Sequence, residues 1–211
     1  MKITRKTLIG LAAGALLLSG IATIAGSLYI DAKAMVGQVL LERAFAQTIA
    51  TGEPAKPWSW ADTWPVAKVS APAHGKSAIV LAGASGEAMA WGPGHLAGTP
   101  RPGDNGVSII AAHRDTHFAF LEHVEAGETI TVTNADGSTH AFEVTGTKIV
   151  PWDQSGIDPI APGKQLALVT CYPFNARTPG PLRYVVMTTK TEAEAKSPRL
   201  ALLSPEVRME R

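Results

Sequence analysis

The chain has 211 residues, of which 18% are charged, with a formal net charge of +1 and no basic block beyond its first residues. This length excludes two separate enzymatic domains, and the charge argues against nucleic acid as a partner. A single cysteine excludes an intramolecular disulfide and any zinc site that needs several thiolates. Twenty glycines and fifteen prolines predict many turns between short elements.

The N-terminus has the pattern of a membrane anchor. Residues 8–30 contain no charged side chain, and as a helix they are long enough to cross the ~30 Å hydrocarbon core of a bilayer. Lys2, Arg5 and Lys6 precede this segment, so we expect residues 1–7 to form a cytoplasmic basic tail and the rest of the chain to lie outside the cytoplasm. The alternative is a signal peptide cleaved near Ala34, against which the length of the apolar run argues.

The segment from residue 31 to residue 64 is predicted to connect this anchor to the folded domain. Apolar residues at helical spacing, including Val39, Leu40 and Ile49, predict that the helix continues to about Gly52. Two prolines and three tryptophans follow, which predict an extended arm packed on the domain rather than a flexible linker. We expect the folded domain to occupy residues 65–193 and a C-terminal tail to occupy residues 194–211.

The remaining pattern predicts an all-β domain. Asn134 to Ser138 has turn chemistry between two alternating apolar segments, which predicts a β-hairpin. A closed or nearly closed barrel is the arrangement that leaves such short strands without exposed edges. The predicted strands are residues 78–81, 107–112, 128–133, 140–150, 165–171 and 183–190.

Cys171 is the candidate nucleophile. It ends a predicted strand and is followed at once by Tyr172 and Pro173, so its thiol is expected at a strand terminus next to a loop. A lone thiol outside the cytoplasm is either buried and inert or present because it reacts, and the position at a strand terminus favours the reactive interpretation. Reaction at neutral pH requires a base or a cation nearby, because an ordinary thiol is mostly protonated there.

His113 and Arg183 are the candidates for that base and cation. His113 follows a predicted strand directly, so like Cys171 it is expected at a strand terminus. Arg183 opens a strand after a loop rich in proline and glycine, and the loop can return it to a position beside the thiol. A guanidinium there would bind the oxyanion that forms when a thiolate attacks a carbonyl. The three residues point to acyl transfer, although a surface position for Arg183 remains an alternative.

Three separated motifs resemble those of the sortases, which are cysteine transpeptidases that attach proteins to bacterial surfaces. Residues 168–171, Leu-Val-Thr-Cys, resemble the family's TLxTC signature, and residues 111–115, Ala-Ala-His-Arg-Asp, resemble its histidine segment. Arg183 stands where the family's arginine begins the next strand, and the order of the motifs is that of the family. The chain departs from the pattern at Ala167, where the signature has threonine, and at Ala112, where many members have glycine.

The resemblance extends over about residues 76–190. Residues 113–118 and 170–174 are most similar to the group found in Gram-negative bacteria, called class GN or marine proteobacterial sortases. This resemblance implies an eight-stranded sortase barrel with short helices, held at the inner membrane by the N-terminal helix, with its catalytic domain in the periplasm. The implied partners are a surface protein with a C-terminal LPxTG-like sorting signal and an amine that accepts its acyl group.

The resemblance also implies a role for each catalytic residue. Cys171 would attack the Thr–Gly carbonyl of the signal and form a thioacyl enzyme. His113 would protonate the leaving amine and then deprotonate the incoming amine. Arg183 would hold the substrate and the oxyanion.

Three further residues complete the predicted site. Thr170 and Tyr172 flank the cysteine and are expected to contact the substrate, although an ordinary strand threonine is an equally good interpretation of Thr170. Asp115 is a candidate for orienting the histidine, although a loop cap is the stronger interpretation of an aspartate two residues after a strand terminus. The loop carboxylates are dispersed along the chain, so we predict neither a required metal nor another cofactor.

Three other functions are alternatives to a sortase. An L,D-transpeptidase places histidine and glycine just before its cysteine, in a segment resembling SHGC, whereas residues 168–170 are Leu-Val-Thr. A non-catalytic β-domain that binds an envelope partner would keep Cys171 as a small buried apolar residue. A cysteine hydrolase would use the same residues as a sortase and differ only in the access of the acceptor.

Overall fold

The computed structural model describes residues 5–191; residues 1–4 and the predicted tail over 194–211 lie outside the described residues. The chain divides into two compact units, one ending at Leu40 and the other beginning at Leu41. A long helix, α1 (Arg5–Thr51), opens the described chain.

The N-terminal helix meets the requirements of a membrane span by length and composition. The candidate span is Ala13–Thr51, with a mean hydropathy of 1.7 in its apolar stretch. Leu16, Ile21 and Leu28 are all more than half exposed. Exposed large apolar side chains are suited to contact with lipid, because their exposure to water is unfavourable.

Eight strands form a closed barrel, as the sequence predicted. The barrel order is β1-β2-β3-β4-β7-β8-β6-β5, so the fourth strand lies beside the seventh. A four-residue helix, α2 (Gly86–Met89), and two short 3₁₀ helices connect the strands. The strands are β1 (Pro65–Ala71), β2 (Lys76–Ala82), β3 (Gly94–His95), β4 (Gly106–Ala111), β5 (Thr129–Asn134), β6 (Thr139–Pro151), β7 (Lys164–Tyr172) and β8 (Leu182–Lys190).

The strand pairing explains how distant parts of the sequence meet. β5 and β6 form the predicted hairpin, and Gly137 in its turn has φ of +83°, a left-handed conformation that glycine adopts without steric cost. β4 and β7 are parallel neighbours, whereas β7 and β8 are antiparallel. The ends of β4 and β7 and the start of β8 therefore meet at one end of the barrel wall.

Apolar side chains from alternating strand positions fill the barrel. Phe118, from the segment after β4, and Phe142, on β6, are fully buried and are the largest of these side chains. This alternation makes the direction of each side chain predictable along a strand. The interior cluster includes Val69, Val80, Ile110, Leu121, Ile130, Val132, Val144, Leu166, Leu168 and Val186.

The last turns of α1 pack within the same unit as the barrel. Leu41 and Phe45 form a buried cluster with Ile79 and Leu81 of β2. Ile49, in contrast, is 40% exposed. The β2 residues of this cluster face away from the barrel interior, so this end of the helix covers part of the outer surface of the sheet.

The tryptophan-rich arm contacts the domain at two points. The Thr63 hydroxyl donates to the carbonyl of Ala82 at 2.8 Å, and the ring of Trp58 lies 4.8 Å from that of Trp91. Trp60, in contrast, is 83% exposed. The arm is thus held at its C-terminal end and through one of its tryptophans.

Candidate active site

The β4–β7 pair brings His113 and Cys171 to the same level of the barrel. Ala111 at the end of β4 pairs with Val169 on β7, and His113 and Cys171 each lie two residues further along the chain. Neighbouring strands lie about 4.8 Å apart. The imidazole and the thiol therefore lie at neighbouring strand ends, with no hydrogen bond between them among the described residues. Proton transfer between them requires closer approach or one bridging water molecule.

The β7–β8 pair places Arg183 directly opposite Cys171. The β-carbon atoms of such opposed residues are about 4.5–5.5 Å apart, with both side chains on the same face of the sheet. The Arg183 Nη1 group donates to the carbonyls of Gly180 and Leu182, each at 2.9 Å. These bonds hold the guanidinium at the start of β8, and the pairing with Cys171 puts both side chains on the same face of the sheet.

The thiol lies on the outer face of the barrel. Leu166 and Leu168 of β7 belong to the interior core, so the alternation directs Ala167, Val169 and Cys171 outward. Cys171 is partly exposed and His113 is exposed. This placement differs from the fully buried, inert cysteine that a non-catalytic domain would keep.

An apolar surface leads away from the thiol along the outer face of β4, β7 and β8. Val107 and Ala167 are buried there, and Ile157 and Ala161 from the β6–β7 connection pack over them. Ala167 is completely buried, so a small side chain suits the position where the sortase signature has threonine. The departure from the signature therefore coincides with close packing under this connection.

Thr170 holds strand ends together rather than lining the outer face. Its side chain is 2% exposed, and its hydroxyl donates to the carbonyl of Ala112 at 2.7 Å. The Ala112 N–H in turn donates to the carbonyl of Val169 at 3.1 Å. This placement corrects our expectation of direct substrate contact, because the threonine is on the opposite face of β7 from the thiol.

Replacing Thr170 with valine is expected to lower both stability and rate. The loss of a buried hydrogen bond costs about 1–2 kcal/mol, and the residues before His113 and Cys171 lose a direct link. Thr188→Val is the matched control, because its hydroxyl donates to the carbonyl of Leu166 at 2.9 Å inside the barrel. Urea unfolding and steady-state kinetics should show both variants destabilised and only Thr170→Val slowed. An equal loss of rate in the two variants would contradict this assignment.

Tyr172 lies in an aromatic cluster at the end of β7. Its ring stacks on that of Tyr184, with centroids 6.2 Å apart, and meets the ring of Phe174 edge to face at 6.3 Å. Tyr172 is partly exposed and lies two residues after Thr170, so the alternation puts it on the same face of β7 as Thr170 and opposite the thiol. Its contact with the substrate stays a prediction. The cluster supports the start of the loop that separates Cys171 from Arg183.

The structure does not connect Asp115 to His113. Asp115 is exposed, and within residues 5–191 its side chain forms no hydrogen bond or ion pair. His117, unlike Asp115, interacts electrostatically with His113. Burial lowers the pKa of His117, and the charge of His113 lowers it further. A hydrogen bond with the backbone of Trp91 opposes both effects. The structure thus favours the neutral form of His117.

The described part of the chain contains no cluster of three or more histidine, cysteine, aspartate or glutamate side chains able to hold a metal ion. The chemistry that the site itself offers is that of a thiol, an imidazole and a guanidinium at three adjacent strand ends. These groups fit nucleophilic attack on a carbonyl, with proton transfer and charge stabilisation from the two basic groups.

The comparison with protein families agrees with this arrangement. A family model described as Sortase domain matches residues 69–191, more than half of the chain. The chain belongs to the sortase family. The matched region contains β2 to β8 completely and therefore includes all three strand ends of the site.

Known sortases resemble this one in sequence and in structure. Sortase D of Bacillus subtilis (strain 168) is 31% identical over 108 residues, which are 51% of this chain and 54% of that protein. The chain thus spans about half the length of the curated relative it matches. The structure of a sortase E mutant from Streptomyces avermitilis is similar with a TM-score of 0.53 and 29% identity, covering 64% of this chain and 94% of the other.

Two further structures support the same barrel. The Group B Streptococcus Pilus Island 1 sortase C2 has a TM-score of 0.54 and 27% identity, covering 60% of this chain and 74% of its own. The Clostridium perfringens sortase D5 transpeptidase has a TM-score of 0.59, covering 74% of this chain and 99% of its own. Its identity is only 18%, so this likeness concerns the fold alone.

Proposed function

We propose that this sortase is a membrane-anchored cysteine transpeptidase. It cleaves an LPxTG-like sorting signal and transfers the acyl group to an amine, which attaches a protein at the cell surface. The observation that carries the proposal is the meeting of three strand ends, with Cys171 opposite Arg183 and level with His113. Together they supply a nucleophile, an acid–base group and a donor for the oxyanion.

The first half-reaction forms a thioester. The thiolate of Cys171 attacks the carbonyl carbon of the Thr–Gly bond, and the carbonyl electron pair moves to oxygen. When this pair returns, the C–N bond breaks and the leaving amine takes a proton from the His113 imidazolium. The products are the thioacyl enzyme and the C-terminal fragment of the signal.

The second half-reaction restores the enzyme. An incoming amine gives a proton to His113 and attacks the thioester carbonyl, and the sulfur of Cys171 leaves as thiolate. A new amide bond replaces the one that was cleaved, so the reaction needs no oxidant, reductant or energy-rich cofactor. Hydrolysis differs only in that water takes the place of the amine.

Arg183 is proposed to stabilise the oxyanion in both steps. Its Nη1 group is occupied by the carbonyls of Gly180 and Leu182, which leaves the other guanidinium N–H groups for the substrate. The backbone N–H of Tyr172, directly after the nucleophile, is the proposed second donor. Donors fixed before the substrate arrives require little reorganisation during the reaction.

Arg183→Ala is expected to lower kcat/KM by about 10²–10³-fold, the usual effect of losing one oxyanion donor. Arg177→Ala is the matched control, because Arg177 lies in the same loop, is exposed and has no hydrogen bond or ion pair within the described chain. Steady-state kinetics with a signal peptide measures both variants. Near-normal turnover of Arg183→Ala would show that another group binds the oxyanion.

We further propose the cellular arrangement of the chain. Residues 1–7 form the cytoplasmic tail, residues 8–30 cross the inner membrane once, and residues 31–64 connect this span to a periplasmic catalytic domain over residues 65–193. Residues 194–211 form a tail. We also propose that the protein belongs to the class GN group of Gram-negative sortases, which the motifs around His113 and Cys171 support.

Leu16→Arg tests the anchor. A charged residue near the centre of a span costs about 2.5–3.5 kcal/mol on the insertion scale, so membrane fractionation should show a marked loss of inserted protein. Leu16→Ile is the control, since it keeps the position apolar. Unchanged fractionation after deletion of residues 1–31 would refute the anchor.

The activity itself is tested with the full chain in detergent and a library of LPxTG-type peptides. Intact-mass measurement should find a thioacyl adduct on Cys171 that disappears when an amine is added and a new amide product appears. If the adduct is hydrolysed at the same rate with and without an amine, and no amide product forms, the protein is a hydrolase. No adduct, together with a thiol that resists iodoacetamide, would indicate a non-catalytic binding domain.

A further inference from the structure

Arg114 connects the segment that carries His113 to the loop that follows Cys171. It comes directly after His113, and its Nη2 group donates to the carbonyl of Ala176 and, at 3.1 Å, to the carbonyl of Thr178. Both carbonyls belong to the loop of residues 173–181 between β7 and β8, here called the β7–β8 loop. Strand pairing does not account for these bonds, because Arg114 lies beyond the end of β4.

The β7–β8 loop has few hydrogen bonds of its own. Within it, the backbone bond from the Ala176 N–H to the Pro173 carbonyl is long, at 3.3 Å. Arg183 holds the other end of the loop through the carbonyl of Gly180 at 2.9 Å. Two arginines, Arg114 next to His113 and Arg183 of the site itself, thus bind the loop that joins the nucleophile to the proposed oxyanion donor.

The chemistry of this contact is specific to arginine. A planar guanidinium can direct several N–H groups at fixed angles and remains charged at any pH at which the protein is folded, whereas lysine offers a single ammonium centre. The Arg114 Nη1 atom is buried without a hydrogen-bond partner within the described chain. An unpaired buried N–H is unfavourable, so the bonds made by Nη2 must hold the side chain in this position.

His113 therefore lies between two links to the segment that carries the nucleophile. The carbonyl of the preceding residue, Ala112, accepts from the Thr170 hydroxyl at 2.7 Å, and the following residue, Arg114, binds the β7–β8 loop. An acid–base group must lie within hydrogen-bond distance of the atom with which it exchanges a proton. Displacing that group by about 1 Å lowers the rate by as much as ~10²-fold. Loss of either link should allow such a displacement.

We propose that Arg114 is a positioning residue that sets His113 relative to Cys171 and Arg183 by binding the β7–β8 loop. The proposal rests on the function proposed above and adds to it a residue that does not touch the reacting atoms. Its effect should therefore be on the catalytic step rather than on the binding of the signal.

The first measurement is limited proteolysis of the full chain in detergent. Trypsin cleaves after Arg177, which lies between Ala176 and Thr178, the two residues whose carbonyls accept from Arg114. Arg114→Gln should speed this cleavage clearly, and Arg114→Lys should lie between Arg114→Gln and the original protein. Thr188→Val controls for stability, since it weakens the barrel core without touching the loop. Equal acceleration in Thr188→Val would overturn the proposed link.

The second measurement is steady-state kinetics on the same proteins with a signal peptide. Arg114→Gln should lower kcat by about 10- to 100-fold with KM nearly unchanged, and Arg114→Lys should recover part of the loss. Arg177→Gln removes an exposed arginine from the same loop and should leave kcat unchanged. An unchanged kcat in Arg114→Gln, or a rise in KM in place of a fall in kcat, would overturn the positioning role. A wild-type protein that forms no thioester and turns over no peptide would instead refute the proposed function, which separates the two failures.

Discussion

Replacing Cys171 with alanine is expected to abolish turnover and the thioacyl adduct completely. The sulfur forms the only covalent bond between enzyme and substrate in the proposed reaction, and no other cysteine in the chain can replace it. The substitution removes one atom from a partly exposed side chain on the outer face of β7. The fold should therefore remain intact, and intact-mass analysis should show unmodified protein after incubation with the peptide library.

Thermal unfolding supplies the control for this variant. A midpoint close to that of the original protein would attribute the loss of activity to chemistry rather than to unfolding. Retained turnover in Cys171→Ala would eliminate the nucleophilic mechanism, since any remaining route would need a different covalent residue or direct attack by the amine.

Replacing His113 with alanine is expected to lower kcat by about 10²–10⁴-fold, the usual contribution of a general acid–base group. Both half-reactions depend on it, because the leaving amine needs a proton and the incoming amine must lose one. The exposed position of the side chain means that its removal should leave little change in packing. Single-turnover measurements should find that thioester formation and its aminolysis are both slowed.

His123→Ala is the matched control for this loss. His123 is exposed and belongs to the second 3₁₀ helix, not to one of the three strand ends. Its replacement should leave the rate unchanged. If His113→Ala kept most of its activity, His117 would become the candidate acid–base group, because His117 interacts electrostatically with His113.

The strands that carry the site were predictable because their apolar residues alternate or run continuously. All six predicted strands correspond to strands of the barrel, and the boundaries differ by about two residues or fewer. β1 and β3 were missed. β1 begins with Pro65 and buries small alanines, and β3 has only two residues, Gly94 and His95, so neither carries a strong pattern. Their place in the barrel depends on pairing with β2, β4 and β5.

The buried face of the last turns of α1 could not be assigned from its own residues. Apolar side chains occur on more than one face there, so periodicity alone does not identify the side that meets the sheet. The structure buries Leu41, Ala44, Phe45 and Thr48 and leaves Ile49 partly exposed. The choice depends on the outer surface that β2 offers, where Ile79 and Leu81 complete the cluster.

The bonding partners of Thr170 and Arg114 in the site could likewise not be assigned from the sequence. Each residue stands next to a catalytic candidate, which marks it as a residue of interest in the sequence. The carbonyl that Thr170 binds is 58 residues away along the chain, and the two that Arg114 binds are 62 and 64 residues away. No local pattern shows which carbonyl a side chain will reach. The inward direction of Thr170 was deducible only after the register of β7 was known, because a one-residue shift exchanges the two faces of a strand.

The sequence by itself determined the class of the fold, the apolar N-terminal helix and the identity of the three candidate catalytic residues. These properties depend on local hydrophobic pattern and on side-chain chemistry, which are present in the chain before it folds. The tertiary structure decided that Cys171 faces outward opposite Arg183, that Thr170 faces inward, and that Arg114 reaches the β7–β8 loop. Those relations depend on strand register and on contacts across large sequence separations, which are fixed only when the barrel closes.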